Sequence, residues 1–240
     1  MKKSMVSLLI GLAVGLGFAT ASQADDRAWS WSPLGIGLAA PLQLPFMESD
    51  VYGLRFGGFL GFNNDVRGID LGVTELCTAD FIGLQGSLFS WTEGDVCGLQ
   101  VGALANVVNL KVAGVQVGCV NVDWSDVTGL QIGSVNYDAA FAGVQLGGLV
   151  NWDTSASYGM QVATANCDQD EFRGWAVGVV DYAVKYTGLQ LGGFNVADEA
   201  TGCQIGLVNA CNKMRGVQVG LVNLICDGPL PVMVIANASF

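Results

Sequence analysis

From residue 50 onward the chain alternates apolar residues with polar residues or glycine at a period of two, in blocks that restart about every fifteen residues. The clearest blocks read Gly114-Val-Gln116-Val-Gly118-Cys-Val-Asn121, Gly129-Leu-Gln131-Ile-Gly133-Ser-Val-Asn136, Gly202-Cys-Gln204-Ile-Gly206-Leu-Val-Asn209 and Gly216-Val-Gln218-Val-Gly220-Leu-Val-Asn223. One glycine marks the blocks, at positions 53, 68, 83, 98, 114, 129, 143, 159, 174, 188, 202 and 216, so the chain is a tandem array of twelve units. Period-two alternation rich in β-branched residues predicts a strand of about 8–10 residues in each unit. Leu130 and Ile132 fall on one face of that strand, and Gly129, Gln131 and Gly133 on the other. Asp138, Asp153-Thr-Ser-Ala-Ser, Asp168-Gln-Asp170-Glu171 and Asn212-Lys213 read as polar connections between strands.

The fold class is all-β, and two architectures accept such a unit: an antiparallel outer-membrane barrel and a parallel β-solenoid with one coil per unit. The barrel is the expected one. A further strand precedes the units, with Leu34, Ile36, Leu38, Ala40, Leu42 and Leu44 on one face, and another follows, with Val232, Val234, Ala236, Ala238 and Phe240 alternating to the end. With the twelve units these predict fourteen antiparallel strands, an even number as in bacterial barrels, closed by a terminal strand of the kind those barrels carry. Tyr52, Leu54, Phe56, Leu60 and Phe62 supply a lipid-facing side opposite Arg55. Asp50, Asp65, Asp80, Asp95 and Asp126 each stand three residues before a repeat glycine. In a parallel stack neighbouring ones would lie about 4.8 Å apart and repel by about 1 kcal/mol per pair, so a solenoid is expected to need a cation there. For the solenoid speak the short linkers, a thin apolar band, the sameness of successive units, and an Asn121, Asn136, Asn209 and Asn223 column suited to a side-chain ladder.

In a barrel, Arg55, Asp70 and the glutamines Gln85, Gln100, Gln116, Gln131, Gln145, Gln161, Gln190, Gln204 and Gln218 line a water-filled interior. A passive pore for small polar solutes, or a surface scaffold, is then the expected function, outer-membrane lipid the partner, and the tryptophans near strand ends an interfacial belt. In a solenoid the same residues form a solvated face, and the chain is a secreted structural or adhesive surface protein. Cys211 and Cys226 hold nearly equivalent turn positions, so a solenoid is expected to stack them within disulfide reach.

Composition narrows the chemistry. The 240 residues carry 10 Lys+Arg against 21 Asp+Glu, a formal charge of −11, and no histidine. Acid–base triads and zinc sites that need an imidazole are excluded, and the acidic balance argues against binding a nucleic-acid backbone. No two of the seven cysteines are spaced C-x-x-C. Asp168, Asp170 and Glu171 lack the glycine-containing spacing of a calcium loop, so neither a metal nor a cofactor is expected, and the chain reads as a non-enzyme.

Residues 1–24 open with Lys2 and Lys3, run through an apolar stretch over 5–18 and reach Ser22-Gln23-Ala24, the pattern of a secretory signal peptide, which leaves 25–240 as one β-repeat domain. The tandem units, with Val51-Tyr-Gly-Leu-Arg55, Val66-Arg-Gly-Ile-Asp70-Leu-Gly and the closing Pro231-Val-Met-Val-Ile-Ala-Asn237-Ala-Ser-Phe240, resemble a family of exported bacterial surface-repeat proteins built from GLQIGLVN-like units. The resemblance covers about residues 41–240 and implies a location in the outer membrane or at the cell surface of a two-membrane bacterium; it brings no catalytic residues. The sub-pattern Q-x-G-x-x-N is also similar, more weakly, to curli repeats, which stack as a solenoid.

Overall fold

The computed structural model describes residues 31–39, 42–44 and 49–239; the expected signal peptide and the terminal Phe240 lie outside the described residues. The strands are β1 (Trp31–Ala39), β2 (Leu42–Leu44), β3 (Asp50–Asn63), β4 (Val66–Leu71), β5 (Thr74–Cys77), β6 (Phe81–Thr92), β7 (Val96–Val108), β8 (Val112–Asp123), β9 (Asp126–Asp138), β10 (Ala140–Asp153), β11 (Ser157–Val162), β12 (Ala165–Ile225) and β13 (Val232–Ser239). From β3 to β12 the pairings between successive coils are parallel and in register. Gly129 lies beside Gly114 and Gly143, Gln131 beside Gln116 and Gln145, and Asn136 beside Asn121 and Asn151. The fold is therefore a parallel β-solenoid, and the expected fourteen-stranded antiparallel barrel is wrong.

Two local facts decide between them. First, each unit turns back on itself. Gln131 Nε2 donates to Asp138 Oδ1 at 2.8 Å, although seven extended residues would separate the two by about 23 Å. Every unit thus supplies two legs joined by a first arc, near Gly133 and Ser134, and the next unit begins after a second arc, near Ala139 and Ala140. From β6 to β10 the register slips, as between Gly147 and Val150 against β9, fall at the first arc.

Second, the repeat glycine has no room for a side chain. Gly129 has φ +134, and a Cβ there would be driven into the carbonyl oxygen of Gly114 in the coil below. That backbone region is essentially closed to other residues. The same positive φ recurs at all twelve marked glycines, which is why the period survives in the sequence.

The strands expected to open and close the barrel instead cover the two ends of the stack. β1 continues the parallel stack onto β3 and is itself covered by antiparallel β2, while β13 runs antiparallel to the last coil, from Gly216 opposite Ser239 to Leu224 opposite Val232. Both ends thereby gain a partner strand for backbone groups that a further coil would otherwise bond.

The aspartate column does stack, and the structure shows how its repulsion is met. The backbone N–H of Asp65 donates to Asp50 Oδ1, that of Asp80 to Asp65, that of Asp95 to Asp80 and that of Lys111 to Asp95, at 2.9–3.2 Å. Each carboxylate caps the next coil, so a backbone dipole takes the place of the expected cation.

Candidate functional site

The interior of the coil is made of four inward columns. The first is apolar and runs through Val51, Val66, Phe81, Val96, Val112, Val127 and Phe141. The second contains every residue expected to line a pore: Arg55, Asp70, Gln85, Gln100, Gln116, Gln131, Gln145, Gln161, Gln190, Gln204 and Gln218 are at most 3% exposed. They face a closed, hydrogen-bonded interior, and the pore reading falls with the barrel. Gln100 donates to Gln85, Gln116 to Gln100, Gln131 to Gln116 and Gln145 to Gln131, at 2.8–3.0 Å, each toward the N-terminal end of the stack. The ladder is interrupted where Ala176 takes the glutamine position. There the stacked rings of Phe172 and Tyr186, 5.7 Å apart, supply volume, and the Tyr186 hydroxyl donates to the carbonyl of Gly174.

The third column is an asparagine ladder of opposite sense. Asn106 donates to Asn121, Asn121 to Asn136, Asn136 to Asn151 and Asn151 to Asn166, at 2.8–2.9 Å, each toward the C-terminal end. The same amides also reach the first arc of the next coil: Asn106 bonds the carbonyl of Val117 and Asn121 that of Ile132. A Cβ on Gly133 would collide with the amides of Asn136 and Asn121, so the glycine and the asparagine of each unit require one another. Asn136→Ala leaves the Asn121 amide without its side-chain acceptor and the Asn151 oxygen without its donor. It is expected to cost about 1–3 kcal/mol, read as a lower urea midpoint by circular dichroism; an unchanged midpoint refutes the ladder as a source of stability.

The fourth column was not legible as a site. Asp123, Asp138, Asp153 and Asp168 stack in successive coils, each at most 1% exposed. Three of them, Asp138, Asp153 and Asp168, were expected to be solvated turn residues. They interleave with the glutamines: Gln131 donates to both Asp123 and Asp138, Gln145 to both Asp138 and Asp153, and Gln161 to both Asp153 and Asp168. Burial is the main cause that raises all four carboxyls. It pushes Asp123 up to about 7 and Asp153 to about 6, and lifts Asp138 and Asp168 well above the usual range, with added repulsion between neighbours. Asp181 replaces an asparagine in the third column and is raised by burial to about 6. Its Oδ2 and the Asn195 Oδ1 both lack a hydrogen-bond partner and both border Gly192, so the asparagine ladder is interrupted there. Parity was the signal for the column: Asp138 stands two residues after inward Asn136 and therefore shares its face.

Other candidates disperse. Asp168 points inward while Glu171 faces out and pairs with Arg173 at 2.7 Å, so the acidic turn gathers no common site. Cys211 is buried, its sulfur accepting from Gln218, whereas Cys226 is exposed. The backbone N–H of Cys226 reaches the Cys211 carbonyl, yet the inward neighbour of Cys211 in the next coil is Ile225; the expected stacking of the two thiols does not occur, and both are free.

Outside the coil the polarity is reversed. Exposed apolar residues cover the leg that carries the glutamines (Leu54, Phe56, Leu84, Trp175), the leg that carries the asparagines (Phe89, Trp152, Phe194) and the first arc (Phe59, Leu149, Leu221). A shallow, open trough over Val101, Val117, Cys119 and Ile132 lies on this surface. Comparison of the chain with protein-family models, with curated proteins and with solved structures finds no match.

Proposed function

We propose that this chain is a non-catalytic β-solenoid acting as a structural or adhesive element at the surface of a two-membrane bacterium, one of the exported surface-repeat proteins its units resemble. The observation that carries this reading is the allocation of polar groups. The glutamines, asparagines and aspartates that could bind or transform a solute are consumed in ladders inside the stack. What faces outward is a largely apolar surface repeated along the stack, with charge confined to the second arc and the position after it.

Single-coil excision tests the proposal. Removing residues 127–140 joins Asp126 to Phe141 and keeps the phase of every inward column, as repeat architectures permit. We expect such variants to fold, to remain open to protease on intact cells, and to lose adhesion to an apolar surface in proportion to the length removed. Abrupt loss of all adhesion on excising one particular coil would reveal a discrete site and overturn the proposal, as would full protection from protease on intact cells.

A further inference from the structure

Charge on the outside of the solenoid is confined to one edge. Among the described residues every outward charged side chain, from Asp50 through Lys111 and Asp198 to Asp227, lies in the second arc or at the first outward position after it, where Arg67, Arg173 and Arg215 stand. The opposite edge carries none. Its exposed residues include Phe59, Leu88, Leu104, Leu149, Leu207 and Leu221, broken by small or weakly polar residues such as Cys119, Ser134, Thr164 and Gly193. From this edge the apolar surface continues up both flat faces. In cross-section the coil is therefore apolar on three sides and charged on the fourth.

The backbone of the apolar edge is also prepared for a medium without water. Val73 N–H bonds the Gly58 carbonyl, Leu88 N–H that of Val73, and Val179 N–H that of Thr164, at 2.9–3.0 Å, so arc amides are bonded from coil to coil. The Thr164 hydroxyl donates to the carbonyl of Gly148 at 2.8 Å. Unbonded backbone groups are what keep most irregular chain out of hydrocarbon, and at these positions the stacking removes that obstacle.

A second copy of the chain docked on one flat face would leave the other face and the arc in water. An apolar medium that wraps an edge covers all three sides together. The dimension fits as well: from Leu130 to the arc at Ser134 is about 13 Å of extended chain, against about 15 Å for half of the hydrocarbon core. We infer that the solenoid lies in a single leaflet of a lipid bilayer, with its axis in the membrane plane, its apolar arc among the acyl chains and its charged arc at the headgroups. Contact is by immersion without spanning, as for interfacial amphipathic elements. Acidic groups outnumber basic ones on the charged edge, so binding does not depend on anionic lipid. This rests on the structural form of the reading above and replaces its adhesive form, because apolar faces immersed in lipid are not free to adhere elsewhere.

The test is flotation of the purified chain with phosphatidylcholine vesicles, with and without phosphatidylglycerol. The chain should float with both, and no more strongly with the anionic ones. Leu104→Asp/Leu149→Asp/Leu207→Asp changes only outward arc positions and should reduce the floated fraction at least tenfold while leaving the β circular-dichroism spectrum unchanged. A second measurement needs no arc variant: lipids brominated in the acyl chain should quench the flat-face Trp175 and spare Trp124 in the charged arc. Trp124→Phe then raises the quenched fraction, and Trp175→Phe lowers it. A chain that stays unfloated, whether as a monomer or as a soluble oligomer by sedimentation, overturns the inference and leaves the coil-excision result standing. Uniform quenching of all tryptophans, or flotation that requires anionic lipid, overturns it too.

Discussion

Arg55→Met unfolds the N-terminal end of the solenoid at a markedly lower urea concentration than the parent chain, a loss of about 3–5 kcal/mol. Arg55 is 2% exposed and is surrounded by groups it must neutralise. Its Nε and Nη2 fork onto the two oxygens of Asp70 at 2.6 and 2.8 Å, its Nη1 donates to Asn63 Oδ1 at 2.6 Å, and its Nη2 also reaches Glu75. Asp70 and Glu75 are both fully buried. Taking away the cation leaves two carboxylates buried without a counter-charge, which costs more than the pair contributed. Because each coil contacts mainly its neighbours, the damage should be local. Amide hydrogen exchange should quicken in β3, β4 and β5 while β8 to β10 keep their protection. The triple change Arg55→Met/Asp70→Asn/Glu75→Gln removes both the charges and the need for them, and should recover most of the loss. If the single variant matches the parent, or if the triple variant is worse than the single, the buried charge cluster is not what holds this end.

The stability of the middle of the stack should fall as pH rises from about 4 through 7. Asp123 and Asp153 ionise in the folded chain near 7 and 6, and Asp138 and Asp168 are raised well above the ordinary carboxylate range. Each folded value lies above the unfolded value near 4, so the native state binds the additional protons. The stabilisation is fully present below about pH 4 and is lost as pH climbs through the folded values. Each of the four carboxyls holds its proton more tightly in the folded chain than in the unfolded one, so each adds to the loss of stability as pH rises. The groups that face these carboxyls are Gln116, Gln131, Gln145 and Gln161 from the opposite leg, the neighbouring aspartates above and below, and Asp181 beyond them; no lysine or arginine is bonded to them among the described residues. Glu171, lowered by its bond to Arg173, acts in the opposite sense, but only in more acid solution. The exposed pair is screened and contributes little.

Urea midpoints at pH 5, 6.5 and 8 check this, with the lowest expected at pH 8. Asp138→Asn/Asp168→Asn replaces alternate members of the column by uncharged groups of the same shape and should raise the midpoint at pH 8 while flattening its pH dependence. A parent chain whose midpoint is level from pH 5 to 8 would show that the column carries no such linkage.

Much of the architecture could be read before the structure was known. The glycine period located every coil, since a backbone that must hold positive φ beneath another backbone tolerates no other residue. The two-residue alternation sorted residues onto two faces, and the asparagine column was recognisable as a possible ladder. The direction of neighbouring strands was not legible. Alternation is the same whether the polar face lines a barrel or the inside of a coil, and a fifteen-residue period is compatible with both. The choice turns on contacts between residues of one unit, such as Gln131 with Asp138, and on the chain turning at Gly133 and Ser134 where a single straight strand was expected.

Coulomb repulsion alone argues against stacked aspartates, and the structure supplies a backbone N–H from each following coil. Asp138, Asp153 and Asp168 looked like turn residues because polarity usually means solvent, yet the coil turns one residue later and draws them inside, where the glutamine amides receive them. The sequence by itself determined that the chain is all-β, that it repeats, and which residues share a face, because these follow from local backbone geometry and a period of two. Only the tertiary structure decided which face is inside, because that depends on pairing each polar side chain with its copy one coil away. The ladder hydrogen bonds so formed offset the burial of the polar face, and it is the apolar face that is left to meet the surroundings.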